Sequence, residues 1–304
     1  MTTTPIRACR GQYVSKSVLV PPDGSPVAGV DVMPFDLAPS PLRASVYYCD
    51  QLKTNCNNCN EADFTDHCRQ LAAMGVTHPM SWFDLSALGE EPWITPAFER
   101  SLDIREAAGL SNQPLYSRGL MPWNSSGIPK MEAQIPVALK VLEKHGIKTL
   151  YVYAHDEPTE EELAAQVPCF QVARGYGLRV MCALEGNSEM GLRVGEGQID
   201  LAILNDVPGV DPVAWRKAGG EAWVYGSQHA SRLTYGLRAL ARGFTGVAPW
   251  RFGLLYGDSY REAIYDLRYA ETLVRLGGVV PNTDDCNPDE VREEIIDAIL
   301  KARG

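Results

Sequence analysis

The chain has 304 residues, 45% of them hydrophobic, and a formal charge of −10. That length and apolar content suit one large α/β domain with a sizeable core, and the acidic balance argues against nucleic acid or an anionic membrane as partner, since both need clustered Lys and Arg. No apolar run approaches the roughly 20 residues that span a bilayer and MTTTPIRACR lacks a signal peptide's apolar centre, so a cytoplasmic protein is expected, although a chain shorn of its leader reads the same way.

Residues 1–40 carry two β-prone runs, Tyr13 to Val20 and Val27 to Phe35, separated by the turn-forming cluster PPDGSP. This predicts a β-hairpin ahead of the main domain, with a boundary near Pro41. After Pro41 short apolar segments alternate with longer amphipathic ones. The predicted strands are Ala44 to Tyr48, Thr77 to Trp82, Pro114 to Arg118, Thr149 to Ala154, Leu178 to Leu184, Ile199 to Asn205, Glu221 to Tyr225 and Thr245 to Arg251. The helical candidates are Phe64 to Met74, Pro96 to Ala108, Ile135 to His145, Glu160 to Tyr176, a weak one after Asn187, Pro212 to Ala218, Arg232 to Arg242 and Tyr260 to Leu276. Several stop at a glycine, as at Gly75, Gly109, Gly146, Gly177 and Gly243.

Eight strand–helix units over residues 41–304 predict a (β/α)8 TIM barrel, with a final helix, Pro288 to Ala302, outside it. A doubly wound sheet is the alternative. Pro136 and Pro168 fall in or near helices and are expected to start or kink them.

Cys49, Cys56, Cys59 and Cys68 crowd one region, with Cys56 and Cys59 at zinc-knuckle spacing and His67 beside Cys68. A lone C-x-x-C is a weak signal, and thiols or local disulfides explain these residues equally well, so no metal and no cofactor are assigned.

Thr149 to Tyr153 runs straight into two carboxylates, Asp156 and Glu157. Pro158 ends the strand, and Thr159 with Glu162 forms a capping box that starts the next helix. In a barrel that places the acids at the mouth where chemistry is built. The same mouth should receive Tyr47 and Tyr48, Trp82 and Asp84, Arg118, His155, Glu185, Asn205 and Asp206, Tyr225, Gln228 and His229, and Trp250 with Arg251. Aromatic walls with carboxylates and amides suit a carbohydrate, whose rings offer apolar faces and a rim of hydroxyls. No Gly-rich phosphate loop is present.

Cleaving a glycosidic bond needs a proton donor and negative charge near an oxocarbenium ion, which Asp156 and Glu157 can divide. The plain alternative is that the pair only decorates a helix N-terminus. Asp206 and Glu185 are second-carboxylate candidates or caps. Trp82 and Trp250 are sugar platforms or packing, while Trp93, Trp123, Trp215 and Trp223 are expected to be structural. His155 and His229 are framework residues or tuners of an acid.

YVYAHDEP, followed by RLTYGLRALARGFTGVAPWRFG and SYREAIYDLRYAETLVRL, resembles the barrel of glycoside hydrolase family 123 and related glycosidase-like domains over roughly residues 40 to 277. The second half carries a Glu-x-x-x-Asp-x-x-Tyr rhythm at Glu262, Asp266 and Tyr269. The resemblance implies exo-acting β-N-acetylgalactosaminidase chemistry by substrate assistance, with Glu157 protonating the leaving oxygen and Asp156 orienting the substrate's 2-acetamido group. It also implies a tyrosine that holds that group, for which position makes Tyr225 the candidate. The chain departs from the family in having only about 40 residues where members carry a β-sandwich, which leaves the sugar open. Tyr48, Trp82, Arg118, His155, Asp206, Tyr225, Gln228, Trp250 and Arg251 complete the expected substrate-binding set. The expected partner is a carbohydrate, and a homo-oligomer is left open.

Overall fold

The computed structural model describes residues 6–9, 30–33, 37–48, 51–52, 58–195, 197–205, 207–225, 232–249, 257–281 and 287–303. Nine ladder segments form one sheet whose neighbours are all parallel. Two of them, Arg43–Ala44 and Tyr47–Tyr48, are halves of one strand, β1, interrupted at Ser45 and Val46. The others are β2 (Met80–Asp84), β3 (Leu115–Arg118), β4 (Leu150–Tyr153), β5 (Arg179–Glu185), β6 (Leu201–Leu204), β7 (Glu221–Val224) and β8 (Gly246–Val247). The first half of β1 pairs with β8 and the second half with β2, so the sheet closes on itself as an eight-stranded barrel.

Helices follow the strands: α1 (Glu61–Ala73), α2 (Ile94–Ala107), α3 (Ile128–Lys144), α4 (Glu160–Gly175), α5 (Ser188–Val194), α6 (Pro212–Lys217), α7 (Arg232–Tyr235), α8 (Leu237–Arg242), α9 (Gly257–Arg275) and α10 (Pro288–Arg303). The eight predicted strands are all present, with β2 beginning at Met80 because Pro79 has no amide to enter the ladder. Two expectations change. Helix α3 starts at Ile128, seven residues before the predicted Ile135, and runs through Pro136; Met131, Ile135, Ala138 and Leu142 supply a buried stripe that outweighs the missing hydrogen bond. Helix α4 runs through Pro168 within one residue of its predicted bounds. The predicted helix from Arg232 to Arg242 is broken at Gly236, where a Cβ would sit 2.7 Å from the Arg232 carbonyl and 3.3 Å from the backbone of Ala263.

At the N-terminus the run from Tyr13 to Val20 lies outside the described residues. The described strands there, Ile6–Cys9 and Val30–Met33, pair in parallel. Among the described residues no helix is long and apolar enough to cross a membrane.

Strand alternation separates two apolar layers. Met80, Tyr116, Tyr151, Tyr153, Met181, Leu201, Ile203 and Trp223 fill the barrel interior. Leu115, Val152, Val180, Cys182, Ala202, Leu204 and Val224 face the helices. The amino end of the barrel is plugged by a polar network: Arg43 donates to the Tyr116 hydroxyl and lies 3.5 Å from Glu221, Tyr151 donates to Glu221 at 2.8 Å, and Arg179 donates to Tyr151 at 3.1 Å. Burial above all holds the Tyr151 hydroxyl up to about 12.

Helix α10 docks outside through a buried ion network. Arg292 meets Asp266 at 2.5 Å, donates to Glu262 and lies over the Tyr269 ring at 5.5 Å, while Arg232 donates to Asp266 at 2.6 Å. Glu262, Asp266 and Tyr269 share one face of α9 at helical spacing, so their rhythm is explained by seating this arginine. Arg292→Met would leave Asp266, which is 1% exposed, short of one of its two partners. A loss of about 3–5 kcal/mol in urea unfolding is expected; a change under about 1 kcal/mol would show that α10 docks by its apolar face alone.

Candidate active site at the barrel mouth

The capping box is formed: Thr159 accepts from the Glu162 amide at 3.3 Å and Glu162 accepts from the Thr159 amide at 2.8 Å. This fixes where α4 starts and confines His155 to Pro158 to a short turn after β4. Within that turn Glu157 takes a left-handed backbone, φ 51°, with its amide donating to the Ala183 carbonyl at 3.1 Å. Across the rim, β5 has a register irregularity between Ala183 and Glu185, and Glu185 takes φ 49°. Among the described residues these are the two non-glycine positions with positive φ, and both are exposed glutamates on neighbouring strand ends. Such backbone costs roughly 1–2 kcal/mol per residue and gathers at functional sites.

The carboxyls form a cluster. Tyr225, just beyond β7, donates its hydroxyl to Glu157. Tyr153, on β4, donates to Asp156 at 2.6 Å. The Glu185 carboxyl is held above the usual range by partial burial first, then by the neighbouring Glu157 and the charge of Asp156. Burial and the hydrogen bond to Glu157, followed by the charges of all three acids, hold the Tyr225 hydroxyl well above the ordinary tyrosine range, so it remains a donor.

Other predicted residues take different places. Trp82 packs on Tyr153 with ring centroids 5.4 Å apart, and Arg118 lies over the indole at 5.3 Å while donating to the Trp82 carbonyl at 2.9 Å. One face of Trp82 is therefore taken by the guanidinium. His155 turns toward α4: its Nδ1 donates to the Asp156 carbonyl at 3.0 Å, its Nε2 is 3.8 Å from Glu162, and Trp123 packs edge-on at 4.2 Å. Asp84 caps the turn after β2 by accepting from the Ser86 amide at 3.0 Å. Tyr48 is in register with Ser81 on β1. Asp206, Gln228, His229, Trp250 and Arg251 lie outside the described residues. So do Cys49 and Cys56; Cys68, Cys169 and Cys182 are buried. Among the described residues no group of three or more His, Cys, Asp or Glu could hold a metal ion.

Trp215 and Trp223 are buried, as expected, but Trp123 is 72% exposed and Trp93 is 44% exposed, which overturns their structural reading. Trp123 stands on the loop after β3, which is fixed from below: Gln166 of α4 donates to the Pro122 carbonyl at 2.8 Å, and Gly119, φ 103°, packs so tightly that a Cβ would come 1.9 Å from Asp84 Oδ1. The pattern Pro-Trp-Asn-Ser-Ser, an aromatic inside a turn-forming run, was the available signal.

No family model matches the chain, and no curated protein sequence matches it. Solved structures similar to it include one titled as a putative dihydrodipicolinate synthetase from Pseudomonas aeruginosa, 11% identical, with 86% of this chain and 83% of that one covered at a TM-score of 0.46. Another is a sugar phosphate isomerase/epimerase from Parabacteroides distasonis, 13% identical, covering 68% and 87% at 0.44. A third is an endo-β-N-acetylglucosaminidase from Cordyceps militaris, 10% identical, covering 76% and 90% at 0.45.

Strain at Glu185 can be measured. Glu185→Asn, which tolerates a left-handed backbone and removes a charge from the cluster, is expected to stabilise the fold by about 1 kcal/mol in urea unfolding. A destabilisation of that size would show that Glu185 is held by favourable contacts and stores no strain.

Proposed function

We propose that the protein is a glycoside hydrolase that removes a terminal N-acetylhexosamine, of N-acetylgalactosamine type, by substrate assistance, with Glu157 as general acid/base and Asp156 as its partner. The observation that carries the reading is that these consecutive acids are held by different tyrosines, Asp156 by Tyr153 and Glu157 by Tyr225, beside a third carboxyl at a barrel mouth. The sequence resemblance to family 123 supports the same assignment.

In the first step Glu157 gives its proton to the glycosidic oxygen as the C1–O bond breaks. The acetamido carbonyl oxygen supplies the electron pair that forms the new bond to C1, and Asp156 accepts the acetamido N–H and balances the positive charge of the resulting ring. Glu157, now ionised, takes a proton from water as that water attacks C1, which restores the acetamido group and the acid and retains configuration. Tyr225 is committed to Glu157 here, so its role is to orient the acid and not to hold the acetamido group as sequence position implied.

A second reading makes Glu185 a nucleophile opposite Glu157. A covalent retaining mechanism needs carboxyls about 5–5.5 Å apart so that the anomeric carbon fits between them. Glu157 and Glu185 stand on neighbouring strand ends, close enough for the charge of Glu157 to help raise the Glu185 carboxyl. A purely binding role, in which Glu157 would be buried in an ion pair with Arg118 or Arg251, is disfavoured because Glu157 is exposed and Arg118 is engaged by Trp82; Arg251 lies outside the described residues.

The test is a panel of chromogenic glycosides with and without the 2-acetamido group. Cleavage confined to acetamido sugars, and reduced at least about 100-fold in Glu157→Gln and Asp156→Asn, is expected; uniform inactivity of the wild type would overturn the hydrolase reading.

The pH profile gives a further check. Activity should fall on both sides of a mildly acidic optimum, because the acid must be protonated while its partner stays ionised. Because partial burial first, and then the neighbouring acids, hold the Glu185 carboxyl above the usual range, the alkaline limb should lie above an ordinary glutamate's. In Glu185→Gln it should move to lower pH by roughly one unit, and an unmoved limb would remove Glu185 from the proton inventory.

A further inference from the structure

Asn205 stands at the carboxyl end of β6. Leu201 and Ile203 of that strand face the barrel interior, whereas Ala202 and Leu204 face the helices, so alternation turns Asn205 inward at the mouth. Its amide donates to the Glu185 carbonyl at 2.8 Å, which ties its backbone directly to the acid cluster. Asn205 is only 8% exposed, and its side-chain Oδ1 is buried with no hydrogen-bond donor among the described residues. A buried amide oxygen without a donor is rare in a folded protein and calls for an explanation.

The chemistry around it narrows what completes it. Asp156, Glu157 and Glu185 present oxygens, and the two tyrosine hydroxyls beside them already donate to carboxyls. A ligand that fits acceptors on every side brings hydrogens of its own. A polyhydroxylated ring does so without carrying a buried cation past a neutral amide.

We propose that Asn205 Oδ1 accepts one ring hydroxyl of the sugar seated over Glu157 and Glu185, and so selects between epimers at that carbon. This assignment rests on the carbohydrate reading of the mouth. It adds a residue that positions the sugar and takes no part in proton transfer.

Binding measured by titration calorimetry separates the two claims. The probes are N-acetyl-D-galactosamine, N-acetyl-D-glucosamine, D-galactose, D-glucose and D-galactosamine, followed by the 3-, 4- and 6-deoxy analogues of the tightest binder. One deoxy analogue is expected to bind wild type about tenfold more weakly than its parent. Asn205→Leu, similar in shape but without an acceptor, should bind the parent as weakly as wild type binds that analogue, and should no longer tell the two apart. It should melt no lower than wild type, since it removes an unpaired buried oxygen. Asn205→Asp keeps an acceptor and should retain discrimination; Asn205→Ala serves the same comparison where the leucine variant does not fold. Discrimination that survives in Asn205→Leu overturns the assignment while leaving the sugar site standing. Tightest binding of D-galactosamine, lost in Asn205→Leu, would make the donor an ammonium and overturn it too. No binding of any probe to wild type would overturn the carbohydrate reading and the assignment together.

Discussion

Closure of the sheet by β1 is the constraint on which the rest of the molecule depends. One strand pairs in both directions, with Gly246–Val247 on one side and Met80–Ser81 on the other, so among the described barrel strands no edge is left open. Parallel closure also sends every strand's carboxyl end to the same rim, which is how acids 28 positions apart in sequence, Glu157 and Glu185, come to influence one another. The opposite rim is sealed by Tyr116, Tyr151 and Trp223 and tied by Arg43, Glu221 and Arg179. Charges there are paired across strands and support the barrel, whereas the three acids at the mouth meet no cation among the described residues.

Three carboxyls at one rim oppose folding in two ways, by mutual repulsion and by two left-handed glutamates. Among the described residues this is offset by backbone and hydroxyl contacts and not by cations. Glu157 is pinned through its amide to Ala183, and Glu185 through its carbonyl to Asn205, so each strained residue is fixed by a ladder bond at the point of strain. Two phenolic donors then take part of the negative charge without neutralising it. An arginine in the same place would give more stability and would also quench the acidity that proton transfer requires. Arg118 is near enough to the interior aromatics to have been that arginine, yet it is turned onto Trp82.

The sequence carried the architecture because the barrel signal is repeated. Short apolar strands, capped helices and left-handed glycines at Gly75, Gly109, Gly146, Gly177 and Gly243 recur at a regular interval, and an error in one unit leaves the count intact. It was poorer where a local rule met tertiary packing: Pro136 was expected to start or kink its helix, but α3 begins seven residues earlier than predicted and its buried face carries it through. The helix predicted from Arg232 to Arg242 is interrupted at Gly236, where the chain packs closely on Ala263 of α9. At the site Asp156 and Glu157 were legible because they sit in one turn between two strong boundary signals. Glu185 and Asn205 were visible only as strand-end residues, since nothing local encodes the bulge that turns one toward Glu157 or the alternation that buries the other.

The tryptophans and the α9 rhythm show how residue type misleads when position is unknown. Trp82, read as a sugar platform, has one face occupied by Arg118, whereas Trp123, read as packing, is the aromatic that stands in solvent beside the acid-bearing turn. Glu262, Asp266 and Tyr269, which strengthened a likeness to a glycosidase family, seat Arg292 of the last helix against the outside of the barrel. That part of the likeness therefore speaks for how the barrel is finished and not for what it does. What remains to argue function is local: two consecutive acids are held by tyrosines from different strands, with a third acid beside them. A helix N-terminus decorated with charge needs none of those partners, because its amides and dipole already favour an acid there, as Glu162 on the Thr159 amide shows.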